Sequence, residues 1–163
     1  MSIVLHRIDD RLIHGQVVVG WGQPLDIGFI VLVDDEVARS EWEQELYRMG
    51  TPPEMDVYFH AAAELAETLP RYESDRRSGI LLTGDIATML RLVKDAGVQS
   101  VNIGGLHHRV DRRQKLRYVF LSPEEESLLR EMAAAGAVVT AQDVPAANPV
   151  PLDELLASEA EVQ

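Results

Sequence analysis

The chain of 163 residues contains no cysteine, which excludes disulfide bonds and thiolate metal sites. It has no apolar run long enough to span a bilayer, and its first residues show no signal-peptide pattern. These absences predict a soluble, cytoplasmic protein. The length suits one ordinary domain with a real core, so we expect a single domain over residues 1–163. Its end, residues 149–163, is predicted to be an acidic segment with a short helix and a frayed tail.

Positive charge is also scarce, because 15 Lys and Arg stand against 27 Asp and Glu. The net charge of −12 argues against nucleic acid as a partner and against adsorption to anionic lipid. No Walker-type lysine loop is present, and Gly20-Trp21-Gly22 closes a helix instead of opening one, so bound ATP or dinucleotide is not expected. His107 and His108 lack the further ligands that a metal site needs, and no metal is predicted.

Short apolar runs alternate with helical patterns, which is typical of βαβ units. We predict a three-layer α/β domain with an open, twisted, mostly parallel sheet of about seven strands and helices on both faces. The predicted strands are 2–7, 28–33, 55–59, 80–83, 100–103, 116–121 and 137–141. The helix after the second strand carries Trp42, Leu46 and Met49 on one face, and Ser122 and Glu125 form a capping box.

The most informative stretch is Arg7–Gln16, which directly follows the first predicted strand. His14 is its only nucleophile at neutral pH, and Arg11 carries a planar fork that matches phosphate oxygens. Asp9 or Asp10 can accept a hydrogen bond from one ring nitrogen, which leaves the other nitrogen free to attack. Together these groups predict phosphoryl transfer through a phosphohistidine.

The same residues fit a plainer interpretation, in which Asp caps a helix and Arg forms a surface ion pair. Two details favour the reactive site. Gly15 follows the histidine and lets a backbone approach a ligand closely. Leu12 and Ile13 lie within the charged group, which indicates a loop anchored in the core.

The residues Arg7 to Val17, Arg-Ile-Asp-Asp-Arg-Leu-Ile-His-Gly-Gln-Val, closely resemble a known active loop. It belongs to the IIB component of the mannose–fructose–sorbose family of the bacterial phosphoenolpyruvate-dependent sugar phosphotransferase system (PTS). Residues 31–38 and 101–107 resemble two further segments of the same family. The resemblance as a whole covers roughly the first 145 residues, nearly a whole domain.

The resemblance implies that His14 receives phosphate from a phosphorylated IIA domain or protein and passes it to a sugar bound by the membrane IIC and IID components. It implies that Arg11 assists this transfer, and that Asp9 or Asp10 positions the ring. It further implies phosphate on Nδ1, no cofactor, no Mg²⁺, and peripheral association with the membrane components. Members of the family also allow a homodimer.

Further phosphate contacts are predicted at the ends of other strands. These candidates are Arg7, Gly15, Thr83, Gly84, Gly104 and Gly105. The Thr-Gly pair comes to lie beside His14 if the fourth strand neighbours the first, although Asp85 after it is equally well explained as a helix cap. The Gly-Gly pair forms either a backbone anion cradle or a tight turn.

A basic stretch in this acidic chain consists of Arg109, Arg112, Arg113, Lys115 and Arg117. One interpretation is a patch that docks the phosphorylated face of the partner. The other is an exposed hairpin whose charges are only solvated, and the sequence favours neither.

Two other functions remain, and the sequence does not separate the first of them from the carrier. The first is a phosphorylated PTS regulator that uses the same histidine without coupling to transport. The second is a non-catalytic α/β module that binds an anion or nucleotide and forms no covalent phosphate.

Overall fold

The computed structural model of the chain describes residues 2–158, so the predicted frayed tail at 159–163 lies outside the described residues. The strands are β1 (Ile3–Ile8), β2 (Ile27–Val33), β3 (Asp56–His60), β4 (Ser78–Thr83), β5 (Ser100–Ile103), β6 (Arg113–Leu116), β7 (Val119–Leu121), β8 (Val138–Ala141) and β9 (Val150–Pro151). The helices are α1 (Asp35–Ala38), α2 (Glu41–Met49), α3 (Ala62–Glu73), α4 (Ile86–Ala96), α5 (Pro123–Ala134) and α6 (Leu152–Ala157), with a π-helix at Gln16–Trp21.

Seven strands form one sheet in the order β3-β2-β4-β1-β5-β8-β9, and all neighbours are parallel except β8 and β9. The predicted mostly parallel α/β sheet is therefore confirmed. The predicted strand 116–121 is wrong, because the chain reverses at residues 117–118 and forms a separate β6–β7 hairpin. This segment lacks the continuous apolar run that a strand buried on both faces needs. The seventh strand of the sheet is β9 instead.

Two apolar layers flank the sheet, as its buried strands require. On one face, α3, α4, α5 and α6 pack on side chains such as Phe29, Val31 and Ile103. On the other face, the π-helix and α1 pack on Ile30, Leu32 and their neighbours. The helices thus lie on both faces of the sheet, and the three-layer prediction is confirmed.

The helix ends follow their capping residues. Ser122 and Glu125 form the predicted capping box of α5, and Asp85 caps α4 by accepting a hydrogen bond from the Thr88 N–H. Helix α3 continues to residue 73, since Tyr72 is buried against Phe29 with ring centroids 6.0 Å apart.

The carboxyl ends of four strands meet at one edge of the sheet. Ile8 at the end of β1 is level with Thr83 of β4 on one side and with Ile103 of β5 on the other. Thr83 is in turn level with Val33 of β2. Open parallel sheets bind their ligands at such an edge, and the loop that follows β1 rises from its middle.

Partly buried His6 on β1 makes the stability of the fold depend on pH, because burial lowers its pKa to about 4. The His6 imidazole therefore binds a proton near pH 6.5 in the unfolded chain but only near pH 4 in the folded chain. We expect stability to fall as the pH drops from 6.5 toward 4, by about 2 kcal/mol at pH 5 from this group. Urea unfolding at pH 7 and pH 5 measures the loss, which His6→Gln should reduce. Exposed His108→Gln is the matched control, and an equal effect of both variants would refute the assignment.

Candidate functional site

The residues 9–15 form a loop over the carboxyl edge of the sheet, here called the His14 loop. It is tied to both neighbouring strands by backbone hydrogen bonds. The Asp9 N–H donates to the Thr83 carbonyl at 2.9 Å, and the Asp10 N–H donates to the Gly105 carbonyl at 2.9 Å. The start of the loop is therefore as well fixed as the strands beside it.

The middle of the His14 loop is anchored in the core, as predicted. Leu12 and Ile13 are both buried on the face covered by the π-helix. Leu12 has φ +59°, a left-handed conformation that is uncommon for leucine and costs energy. A Cβ at position 84 would come within 2.8 Å of Leu12 Cδ2, so Gly84 makes room for this anchor.

His14 follows this anchor, with 19% of its side chain exposed. Its Nδ1 accepts a hydrogen bond from the backbone N–H of Gln16 at 3.3 Å. Its buried Nε2 has no linear hydrogen bond but lies 3.1 Å from Asp9 Oδ1. The carboxylate thus attracts a proton to Nε2, while Nδ1 keeps its lone pair. Of the two candidates for orienting the ring, it is Asp9 that contacts His14.

Asp9 is fully buried between two cationic groups and the imidazole. Its carboxylate lies 3.6 Å from the Arg7 guanidinium and 3.9 Å from that of Arg11. Burial on its own raises the pKa of Asp9, but the contacts with His14, the Arg11 N–H and Arg7 outweigh burial and hold the pKa below its usual value. Asp9 is therefore ionised at neutral pH.

Arg7 lies beneath the site and is not exposed at all. It donates to the Asn102 side chain and to the Gln142 carbonyl at 2.8 Å, and its guanidinium lies 4.8 Å from the centre of the Trp21 ring. A Cβ at Gly104 would overlap the guanidinium, so that glycine makes room for Arg7. The Arg7 side chain does not reach the surface and the Gly104 N–H donates to the Ile8 carbonyl at 2.7 Å, so neither presents a free donor at the site, and their phosphate contacts stay predictions.

Asp10 points away from His14 and holds the loop that follows β5. Its carboxylate accepts hydrogen bonds from the His107 backbone N–H at 2.8 Å and from the His107 ring. It also lies 3.5 Å from the Arg112 guanidinium. The structure thus gives Asp10 a structural position, and the prediction that it acts on the His14 ring is corrected.

Arg11 lies at the mouth of the site, about half exposed, and is held by groups that the sequence analysis did not select. Its guanidinium donates to Gln16 Oε1 at 2.9 Å. The Gln16 amide group in turn donates to the Asp143 carbonyl at 3.2 Å and to its carboxylate. Asp143 also binds Arg117 at 2.7 Å. Asp143 lies 127 residues after Gln16, so no local spacing points to this pairing.

The basic stretch divides into two groups. Arg109, Arg113 and Arg117 are exposed. Arg112 is buried and forms a bidentate ion pair with Glu125. Lys115 is also buried and pairs with Glu126 at 2.9 Å. Neither interpretation from the sequence fits the whole stretch, since two of its cations stabilise the β6–β7 hairpin against α5.

The remaining predicted phosphate contacts lie around the His14 loop. Thr83 is on the strand next to β1, as required, but its side chain is buried and its hydroxyl donates to the Asp85 carbonyl at 3.3 Å. Gly15 caps the π-helix beside His14. The Gly105 N–H donates a hydrogen bond to Asp9 Oδ2 at 3.4 Å, so it stabilises the Asp9 carboxylate.

Within residues 2–158, no three His, Asp or Glu side chains are grouped so that they could hold a metal ion. No helix in the same range is long and apolar enough to cross a membrane.

The sequence matches the family described as PTS system sorbose subfamily IIB component over residues 3–163. It is 33% identical over 140 residues to the PTS system sorbose-specific EIIB component of Klebsiella pneumoniae, covering 83% of this chain and 84% of that protein. It is 31% identical over 156 residues to the N-acetylgalactosamine-specific phosphotransferase enzyme IIB component 2 of Escherichia coli K12, covering 95% and 99%. The IIBSor domain of the sorbose permease from Klebsiella pneumoniae superposes with a TM-score of 0.85, at 28% identity and with coverage of 99% and 100%.

These likenesses run through the whole fold and include the sheet edge that carries His14. They define a phosphotransferase component of the bacterial sugar PTS. Within that system, the chain belongs to the sorbose subfamily of IIB components. As a IIB component it works with IIA and with IIC and IID partners, and the comparisons do not favour the regulator or the binding module.

Arg112 is expected to stabilise the fold and not to dock a partner. Arg112→Met leaves Glu125 and Asp10 largely buried without their cation, so we expect a loss of about 3 kcal/mol in the free energy of unfolding. Urea unfolding at pH 7 measures this. Arg113→Met, one residue along on an exposed side chain, should change stability by less than about 0.5 kcal/mol. Equal stability of the two variants would show that the buried pair contributes nothing.

Proposed function

We propose that this chain is a phosphohistidine carrier. His14 accepts a phosphoryl group from a phosphorylated IIA partner and passes it to a sugar held by the membrane IIC and IID components. The observation that carries the proposal is the environment of the two ring nitrogens of His14. Nε2 faces the buried Asp9 carboxylate, and Nδ1 presents its lone pair at a partly exposed position.

The geometry supports Nδ1 as the nucleophile. In the transfer, the Nδ1 lone pair forms a bond to phosphorus while the bond from phosphorus to the donor's leaving atom breaks. The ring then carries a proton on Nε2 and a positive charge, which the ionised carboxylate of Asp9 stabilises at 3.1 Å. When the sugar hydroxyl attacks phosphorus, the electron pair of the broken N–P bond returns to Nδ1, and the hydroxyl proton is released to solvent or to a base of the membrane component.

We propose two donors for the phosphate oxygens. The Gln16 backbone N–H now donates to Nδ1 at 3.3 Å, and bond formation at that nitrogen releases it for an oxygen of the phosphoryl group. The Arg11 guanidinium is always charged, stands beside Asp9 at the mouth of the site, and matches phosphate oxygens. These groups neutralise the charge that develops in line.

Docking of the IIA partner is proposed on the exposed cations around the site. Arg11 is joined there by Arg109, Arg113 and Arg117 from the loop after β5 and the β6–β7 hairpin. A phosphorylated donor is negative at the atom that must reach His14, so local positive charge speeds encounter despite the net charge of −12. Both steps take place in the cytoplasm, with the chain bound peripherally to its membrane partners.

The carrier role predicts a single covalent phosphate on His14. The chain is incubated with phosphoenolpyruvate, enzyme I, the small phosphocarrier protein and IIA domains of the sorbose and mannose systems. Intact mass should show one added phosphate, labile in acid and stable in base, as expected of an N–P bond. The same phosphate should form with phosphoramidate, a chemical donor that needs no partner protein.

The matched controls are His14→Ala and His108→Ala, since His108 is exposed in the loop after β5. The first variant should take up no phosphate and the second should behave like the original chain. Phosphate uptake by His14→Ala would place the acceptor elsewhere. Failure with every donor, including phosphoramidate, would favour the non-catalytic module.

Gln16 is expected to act through Arg11. Arg11→Gln should slow phosphoryl uptake by at least about tenfold, because one charged donor to the phosphoryl oxygens is lost. Gln16→Ala keeps the backbone N–H but releases the guanidinium, so it should slow uptake less, and it should add little to Arg11→Gln. Time courses of intact mass measure both. Fully additive effects of the two substitutions would separate Gln16 from Arg11.

A further inference from the structure

The helix α2 turns its apolar side to solvent. Trp42 is 68% exposed, Leu46 53% and Met49 74%, and no residue of the helix is buried. The three side chains are spaced four and three positions apart, so they form one continuous stripe, here called the α2 stripe. Single exposed apolar residues are ordinary, but a stripe that includes tryptophan marks an interaction site.

The orientation of α2 is set by its opposite side. The Gln44 amide group donates to the carbonyls of Val37 and Ala38 at 2.9 and 3.2 Å. The Tyr47 ring packs on the Phe59 ring with centroids 6.4 Å apart. These contacts hold the helix to α1 and β3, and a rotation that buried the α2 stripe would break them. The α2 stripe therefore stays exposed and does not pack against the core of the protein.

The rim of the α2 stripe is acidic. Glu41 and Glu45 are exposed on the helix itself, and exposed Glu36 precedes it on α1. Arg39 and Arg48 are the nearby cations, and the guanidinium of Arg48 lies over the Phe59 ring at 4.9 Å. A matching surface is therefore apolar at its centre and carries Lys or Arg around it.

We propose that the α2 stripe docks the cytoplasmic face of the membrane-embedded IIC and IID components, an inference that rests on the proposed function. Cytoplasmic loops of membrane proteins carry an excess of Lys and Arg, which complements the acidic rim. The other occupants fit less well. A phosphorylated IIA partner and an anionic lipid surface are negative, and a second copy would bring acidic rims together.

The place of α2 in the fold suits this partner. Helix α1 begins directly after β2, whose last residue Val33 is level with Thr83 beside the His14 loop. Helix α2 then runs back toward the start of β3, so Trp42 lies toward the edge that carries the site and Met49 lies farther away. A membrane component held on the stripe therefore lies toward the same sheet edge as His14, with α2 packed on β3, three strands from β1 in the sheet.

The test is photo-crosslinking in the cells that make the protein. A photoreactive amino acid replaces Leu46 in one strain and, as a control, exposed Val138 of β8 in another. Mass spectrometry identifies the adduct. We expect Leu46 to capture the IIC or IID component, and Val138 to capture either of them at least tenfold less. Capture of the IIA partner, of lipid, of a second copy, or of nothing overturns the proposal.

Charge reversal tests the acidic rim without touching the site. Glu41→Lys combined with Glu45→Lys should lower the Leu46 adduct at least tenfold and leave phosphate uptake by His14 unchanged. An unchanged adduct yield overturns the proposal and leaves the carrier function standing. Absence of phosphate on the unsubstituted chain refutes the carrier function itself, so the two failures are distinguishable.

Discussion

The sheet edge that carries His14 depends on Arg7, a cation that is completely shielded from water. Arg7 is fully buried, and the guanidinium loses a large hydration free energy there, so burial lowers its pKa. Asp9, two residues later, supplies the compensating charge at 3.6 Å, and Asn102 and the Gln142 carbonyl supply hydrogen-bond acceptors. The same carboxylate faces His14. The position of the nucleophile is therefore fixed by a charge pair that the fold must form for its own stability, while burial of Leu12 in the core sustains the strained φ of that residue.

Much of the fold could be predicted because its signals are local. Apolar runs marked the five central strands to within a residue or two, and the caps at Asp85 and Ser122 appear where the pattern placed them. The hairpin was missed because residues 116–121 look like one run although the chain reverses at 117–118, and β9 was missed because only two of its residues pair with β8. The π-helix has no sequence signature beyond an apolar run that also fits an α-helix.

The site was predicted less completely, for an electrostatic reason. The motif places His14, Arg11 and two aspartates within six residues, yet it does not show which aspartate faces the ring. That choice depends on burial, since Asp9 is covered by the loop and Asp10 turns to His107. The roles of Gln16 and Asp143 follow from one contact across the fold, which a single sequence does not reveal. The same holds for Arg112, which looks like a surface cation until Glu125 is placed beside it.

Charge is divided over the surface in a way that suits a carrier, which must bind two partners in turn and release the first. Exposed Arg11 lies beside Asp9, and exposed Arg117 pairs with the Asp143 that binds Gln16, whereas α2 is acidic and apolar. Phosphoryl transfer adds up to two negative charges beside those arginines and removes the same charges from the donor. The site then becomes less positive and the donor less negative, so the attraction between them weakens. The α2 stripe carries no group that changes in this step. If it holds the membrane partner, the chain stays attached there while the donor leaves, because no charge changes at the stripe.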